Sequence, residues 1–200
     1  MRLDHALHKR FFAERRTRVL AELLAAQLPE KSRVLDVGCG EGRIAQRIAE
    51  LRRDVAVEGL EVHVRPGAAI PVESFDGETI PHPDDSFDAV IFVDVLHHTR
   101  DPLVLLREAR RVAKRCIVLK DHNRNGCLAT PTLRFMDRVG NPPEGVAFPD
   151  NYWPRERWRD AFRELELRVE SWNEELGLFP LPVNWILGRS LHFVARLERP

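Results

Sequence analysis

The sequence lacks an excess of charge of either sign. Its 31 Lys and Arg balance 31 Asp and Glu, so no overall field favours nucleic acid or a membrane surface, and neither partner is expected. Cysteine is scarce: Cys39, Cys116 and Cys127 are odd in number, with no C-x-x-C pair and no Cys/His ligand spacing. A disulfide framework and a structural zinc site are therefore not expected, and a reducing cytoplasm is the simplest setting. No window approaches the roughly 18 apolar residues of a membrane span. The segment from Arg2 to Arg18 is charged and has no apolar stretch of the kind a secretory signal needs. Tyrosine occurs once, at Tyr152. What is present is ordinary globular composition, 44% apolar and 31% charged over 200 residues, enough for one domain with a real core.

Apolar spacing divides the chain into alternating elements. Leu7, Phe11, Phe12, Val19, Leu20, Leu23 and Leu24 recur at helical intervals over residues 4–28. Short apolar runs at 33–37, 55–60, 87–93 and 116–119 read as buried strands, with a weaker one at 68–73. Residues 41–53 and 101–113 have one apolar face each and predict helices. The spacing thus predicts an α/β fold of the Rossmann-like, doubly wound kind, with a mostly parallel sheet. After Lys120, which reads as a strand end in solvent, the pattern breaks. Residues 121–154 are rich in Pro, Gly and Asn, with a helical stretch near Thr132–Val139. Leu133, Phe135, Met136, Phe148, Tyr152 and Trp153 need burial there, so the segment predicts an ordered cap inserted after the fifth strand. Residues 155–164 predict a helix, and 167–172 and 190–197 alternate as half-buried antiparallel strands do. One domain over 1–200 is expected: an N-terminal helix in 1–30, a cofactor-binding half in 31–120, and an acceptor-side cap from 121–154 and 173–189.

The run Val34-Leu35-Asp36-Val37-Gly38-Cys39-Gly40-Glu41-Gly42 joins the first strand to its helix. In a doubly wound sheet that turn lies at the carboxyl edge, where ligands bind. A dinucleotide site wants G-x-G-x-x-G; here the glycines alternate, and Glu41 stands where a pyrophosphate would lie. A ligand with cationic groups and no phosphate tolerates nearby acids. This loop resembles the first motif of the class I S-adenosylmethionine-dependent methyltransferases, and the resemblance extends over roughly residues 30–120. It implies S-adenosylmethionine as the cofactor, a seven-stranded sheet with an antiparallel last strand, and Asp36, Gly38, Cys39 and Gly40 against the cofactor. Glu61, 19 residues after Gly42, falls where an acid accepts the ribose hydroxyls; Glu58 is the competitor. Asp76 and Gly77 match the segment that meets the adenine amino group, and Val93 and Leu96, with Val95, match the one that closes over the adenosine.

Methyl transfer from a sulfonium is an in-line displacement that rests largely on positioning in a dry site, so no catalytic triad is required. His97 and His98 follow the fourth strand, and Lys120-Asp121-His122 follow the fifth. His98, His122 and Asp121 are the candidates for acid–base work or substrate contact. The cap residues Arg134, Asp137, Asn141, Asn151, Tyr152 and Trp153 suit a polar small molecule with some apolar surface. The apolar stretch 178–186 is a substrate wall or a dimer surface, and monomer and homodimer both stay open. A nicotinamide-dependent oxidoreductase is the rival enzyme class, disfavoured by the glycine spacing and by the want of a recognisable Tyr/Lys pair. A non-catalytic S-adenosylmethionine-binding subunit is the rival outside catalysis.

Overall fold

The computed structural model describes residues 2–140, 151–181, 183–188 and 190–200, without the side chains of 2–12, 139–140 and 186. The sequence expectations for Leu7, Phe11, Phe12, Asn141, Phe148, Pro182 and the Ile186 side chain lie outside the described residues. Among the described residues, fourteen elements follow in order if one short 3-10 turn, Leu96–His98, is included. They are α1 (Arg2–Ala25), β1 (Arg33–Val37), α2 (Arg43–Leu51), β2 (Ala56–Glu61), β3 (Val72–Ser74), β4 (Phe87–Val93), α3 (Pro102–Val112), β5 (Ala113–His122), α4 (Ala129–Gly140), α5 (Arg155–Glu164), β6 (Arg168–Asn173), α6 (Val183–Leu187) and β7 (His192–Glu198).

The strands form one seven-stranded sheet in the order β3-β2-β1-β4-β5-β7-β6. β1 to β5 are parallel to one another, and β7 runs antiparallel between β5 and β6. Strand alternation splits the core into two layers. Leu35, Val37, Val90, Phe92, Ile117 and Leu119 face a layer shared with α3 and α5. Val34, Ala89, Ile91, Cys116 and Val118 face Leu20 and Leu24 of α1 and Ile48 of α2. Local chemistry sets the ends of the helices. Asp101 caps α3 by accepting from the Leu103 amide at 3.0 Å, and Pro102 occupies the first helical position, where its missing N–H costs nothing. Chain order reverses about β1, which has β2 on one side and β4 on the other, and that switch point opens a crevice at the strand carboxyl ends.

Three expectations need correction. The third strand is Val72–Ser74, later than 68–73, because Gly67 adopts positive φ and turns the chain there. The fifth strand does not stop at Leu119: it runs through His122, and Lys120 is buried rather than in solvent. A buried lysine in a strand is tolerable because its ammonium donates to the Asp94 carboxylate and lies 3.2 Å from His192 Nδ1. Of the cap residues expected to be buried, Leu133, Tyr152 and Trp153 are, but Phe135 is 61% exposed, since α4 turns its Leu133 face inward.

Candidate active site

The glycine loop is pinned to the end of β2: the Leu60 carbonyl accepts from both Gly38 N (2.8 Å) and Cys39 N (3.1 Å). Gly38 has φ +74° and Gly40 +57°, the left-handed region that favours glycine. A Cβ on Gly38 would sit 2.6 Å from Val95 Cγ2, whereas one on Gly40 would meet nothing within 4 Å. Gly38 is thus needed for packing, and Gly40 opens onto space that a ligand could occupy. Glu61 closes the lip of that space. Its Oε2 accepts from Gly40 N at 2.8 Å and its Oε1 from Val62 N at 2.8 Å. Glu58 instead pairs with Arg33 Nε at 2.6 Å, which separates the two acids.

Beneath the loop, Asp36 is 2% exposed, and its Oδ1 has no hydrogen-bond partner among the described residues. Burial first, and then the charge of Glu61, push its carboxyl up to about 7. Burial, followed by the charges of Asp36 and Glu61, pushes the Cys39 thiol up to about 12. Asp76 is exposed on the turn after β3; its Oδ1 accepts from the Glu78 amide (2.8 Å) and the Thr79 amide (2.6 Å), which hold its carboxyl below the usual range. Gly77 takes φ +86° beside it. Val93 is half-buried against the α1-side core. Leu96 corrects an expectation: it is fully buried in the α3-side core and cannot face a ligand. The tight turn over Leu96–His98 rotates Leu96 inward and leaves the half-buried Val95 against the loop. An unpaired buried carboxylate oxygen, a second carboxylate at the lip and an open Gly40 suit a ligand carrying cationic groups and ribose hydroxyls.

The second half of the site lies at the carboxyl ends of β4 and β5. Asp121 is fully buried; its Oδ2 accepts from Leu96 N at 3.0 Å, and its Oδ1 lies 2.6 Å from His97 Nδ1. The candidate Asp121 thus holds the His97 ring and the Leu96 amide, because β5 continues three residues beyond its apolar run, to His122, and carries Asp121 inward. His97, 1% exposed, directs Nε2 toward Asp137 Oδ2 at 3.7 Å. Asp137 also lies 3.4 Å from His122 Nε2 and accepts from the Tyr152 hydroxyl. His98 is half-buried, with its ring 3.9 Å from that of His97. His122 Nδ1 is 3.2 Å from His192 Nδ1, and Asp94, at a strained φ of +58°, accepts from Lys120 and from Arg16 of α1.

Charges set the protonation pattern. Burial opposes a charge on His97, but Asp121, Asp94 and Asp137 outweigh it and raise its pKa. Burial, then the His97 charge, bring His98 down to about 4, and burial lowers His122 and His192 as well. Burial alone would raise Asp137, yet the His122 hydrogen bond and the nearby imidazoles hold it at about 2. Three carboxylates, Asp94, Asp121 and Asp137, thus face Lys120, Arg16 and the imidazoles of this cluster. His98, His122 and Asp121, all expected as candidates, do come together. Their centre is His97, which sequence reasoning set beside His98 without choosing it. Asp94, Arg16 and His192 were not expected; the facing of His122 and His192 across the antiparallel β5–β7 pair is the signal that could have found the last. An open cleft of about 490 Å³ adjoins this cluster, lined by Glu174, Leu178, Asn184, Trp185 and His192 among others.

A family model described as a methyltransferase domain matches residues 7–174. The 27-O-demethylrifamycin SV methyltransferase of Amycolatopsis mediterranei is 33% identical over 116 residues, 50% of this chain and 42% of that protein. The ribosomal RNA-processing protein 8 of Caenorhabditis elegans is 36% identical over 108 residues, 54% of this chain and 27% of that protein. The chain spans less than half the length of either of these curated relatives. In the complex between the Haloferax volcanii Trm112 methyltransferase activator and a methyltransferase, the fold recurs at a TM-score of 0.69 and 16% identity, covering 91% of this chain and 89% of that one. With the family match running through the glycine loop and both strand-end clusters, the chain belongs to the class I S-adenosylmethionine-dependent methyltransferases.

Proposed function

We propose that the chain transfers the methyl group of S-adenosylmethionine to a small-molecule acceptor held at the carboxyl ends of β4 and β5. The cofactor supplies an electrophilic methyl on a sulfonium. Asp36 and Glu61 offer carboxylates to its cationic amine and ribose hydroxyls, Gly40 leaves room for it, and Asp76 stands toward its adenine. The observation that carries the acceptor reading is the buried cluster around His97, Asp137 and His122. Such a group of charged and polar side chains costs stability, which an apolar core would not. It lies directly after Val95, whose side chain touches the glycine loop, so the two halves of the site adjoin. In this reading His122 and His98 face the acceptor, Asp121 positions His97, and Trp185, 73% exposed, forms a wall of the 490 Å³ cleft. A cleft of that size matches small-molecule sites.

The test is to incubate the protein with methyl-labelled S-adenosylmethionine and a metabolite extract, and in parallel with total RNA. Label in a low-mass product supports the proposal. Label in RNA alone overturns the small-molecule acceptor and favours a substrate of the kind that the name of the ribosomal RNA-processing relative suggests.

A further inference from the structure

The His97 side chain has a buried nitrogen that the fold leaves unused. Among the described residues no hydrogen-bond partner meets Nε2, although the residue is 1% exposed. An unpaired buried imidazole nitrogen costs stability unless something takes it. Its neighbours are metal-ligating types. One ligand atom each from His97, His98 and Asp137 lie within 4.8 Å of one another. His122 Nε2 stands 3.4 Å from Asp137 Oδ1, and His97 Nε2 3.7 Å from Asp137 Oδ2. Ligands at about 2.0–2.1 Å from a tetrahedral centre are separated by roughly 3.4 Å, so the His97–Asp137 spacing needs little closing and His98 must draw in toward it.

We propose that His97, His98 and Asp137 bind a divalent metal ion of the zinc type, with the fourth position left for water or substrate. Imidazoles with one carboxylate select zinc, cobalt, nickel or iron over magnesium and calcium, which prefer all-oxygen sets. The outer shell is already in place. Asp121 receives His97 Nδ1 at 2.6 Å and is itself fixed by Leu96 N, the carboxylate–histidine arrangement that points the other nitrogen at a metal. A second grouping, Asp94 with His97 and His122, also has its atoms close together. It is the poorer site, because Asp94 is already bound by Lys120 and Arg16, whose charges repel a dication. A metal at Asp137 would hold an oxygen of the acceptor; that use rests on the methyl-transfer reading, but the binding does not.

The experiment is titration of the full chain with Co²⁺, read by its visible d–d absorption, with Zn²⁺ as competitor and S-adenosylmethionine affinity measured separately by calorimetry. The expected result is a saturable spectrum, bleached by Zn²⁺ and retained in Cys127→Ser, whose exposed thiol is the obvious stray ligand. Asp137→Asn and His98→Ala should each abolish it, and Asp121→Asn should weaken Co²⁺ binding about 10–100-fold. Asp137→Asn keeps the side-chain shape, so it decides the matter if His98→Ala fails to fold. No saturable spectrum in the wild-type chain, or one that survives Asp137→Asn, overturns the inference. Cofactor binding without cobalt binding would overturn the metal site alone; cobalt binding without cofactor binding would overturn the cofactor assignment alone.

Discussion

Asp36 should make S-adenosylmethionine binding depend on pH in the neutral range. Its carboxyl is buried, faces the acidic Glu61 and the thiol of Cys39, and titrates at about 7 in place of the usual 3.8. A cationic cofactor favours the ionised form, so binding expels the proton. The fraction ionised rises from about 0.1 at pH 6 to about 0.9 at pH 8, so affinity should rise roughly tenfold over that interval and level off above it. Stability of the free protein moves the other way. A carboxyl whose folded pKa is raised costs nothing at pH values below its unfolded pKa, and it destabilises progressively as pH climbs from about 4 to about 7. The shift from 3.8 to about 7 corresponds to a cost on the order of 4 kcal/mol at most at neutral pH. Asp36→Asn removes both effects: the free protein should gain stability above pH 7, while cofactor affinity becomes weaker and flat with pH. Calorimetry in two buffers of different ionisation enthalpy reads the released proton directly. A wild-type affinity that is flat from pH 6 to 8, or the same slope in Asp36→Asn, would refute the reasoning.

The loop glycines should separate by mechanism. Gly40→Val should remove cofactor binding with a loss of only about 1–2 kcal/mol from left-handed strain, whereas Gly38→Val collides with Val95 and should lower the melting temperature further; thermal melts beside calorimetry distinguish them. Glu61→Ala should weaken cofactor binding by about 1–3 kcal/mol and Glu58→Ala far less, since Glu58 is bound to Arg33; the reverse order in calorimetry would mean that the ribose lies elsewhere.

The parts of the site legible in the sequence are those that backbone geometry dictates. Three alternating glycines after an apolar strand leave few options, and the loop and the mostly parallel seven-stranded sheet with its antiparallel last strand followed. Positions decided by tertiary pairing were harder to read. Lys120-Asp121-His122 looks like a polar strand end; Asp94 just after β4, His97 in the turn that follows, Asp137 of α4 and His192 of β7 make those side chains tolerable inside a strand. Leu96 was read as a ligand contact because it follows β4, but the direction of a side chain in a tight turn is set by packing. Likewise, the choice between His97 and His98 depends on where Asp121 points, and one-dimensional spacing does not record that.

The most direct test of the acceptor site compares His122→Ala with the wild-type chain once a labelled product is known. His122 lies between the Asp137 and His192 side chains. Its loss should lower turnover by about tenfold or more and leave S-adenosylmethionine affinity within about twofold, because contacts made in the transition state appear in rate and not in binding of the other substrate. Unchanged turnover would contradict the placement of the acceptor at the ends of β4 and β5, and lost cofactor affinity would move the cofactor into that cluster.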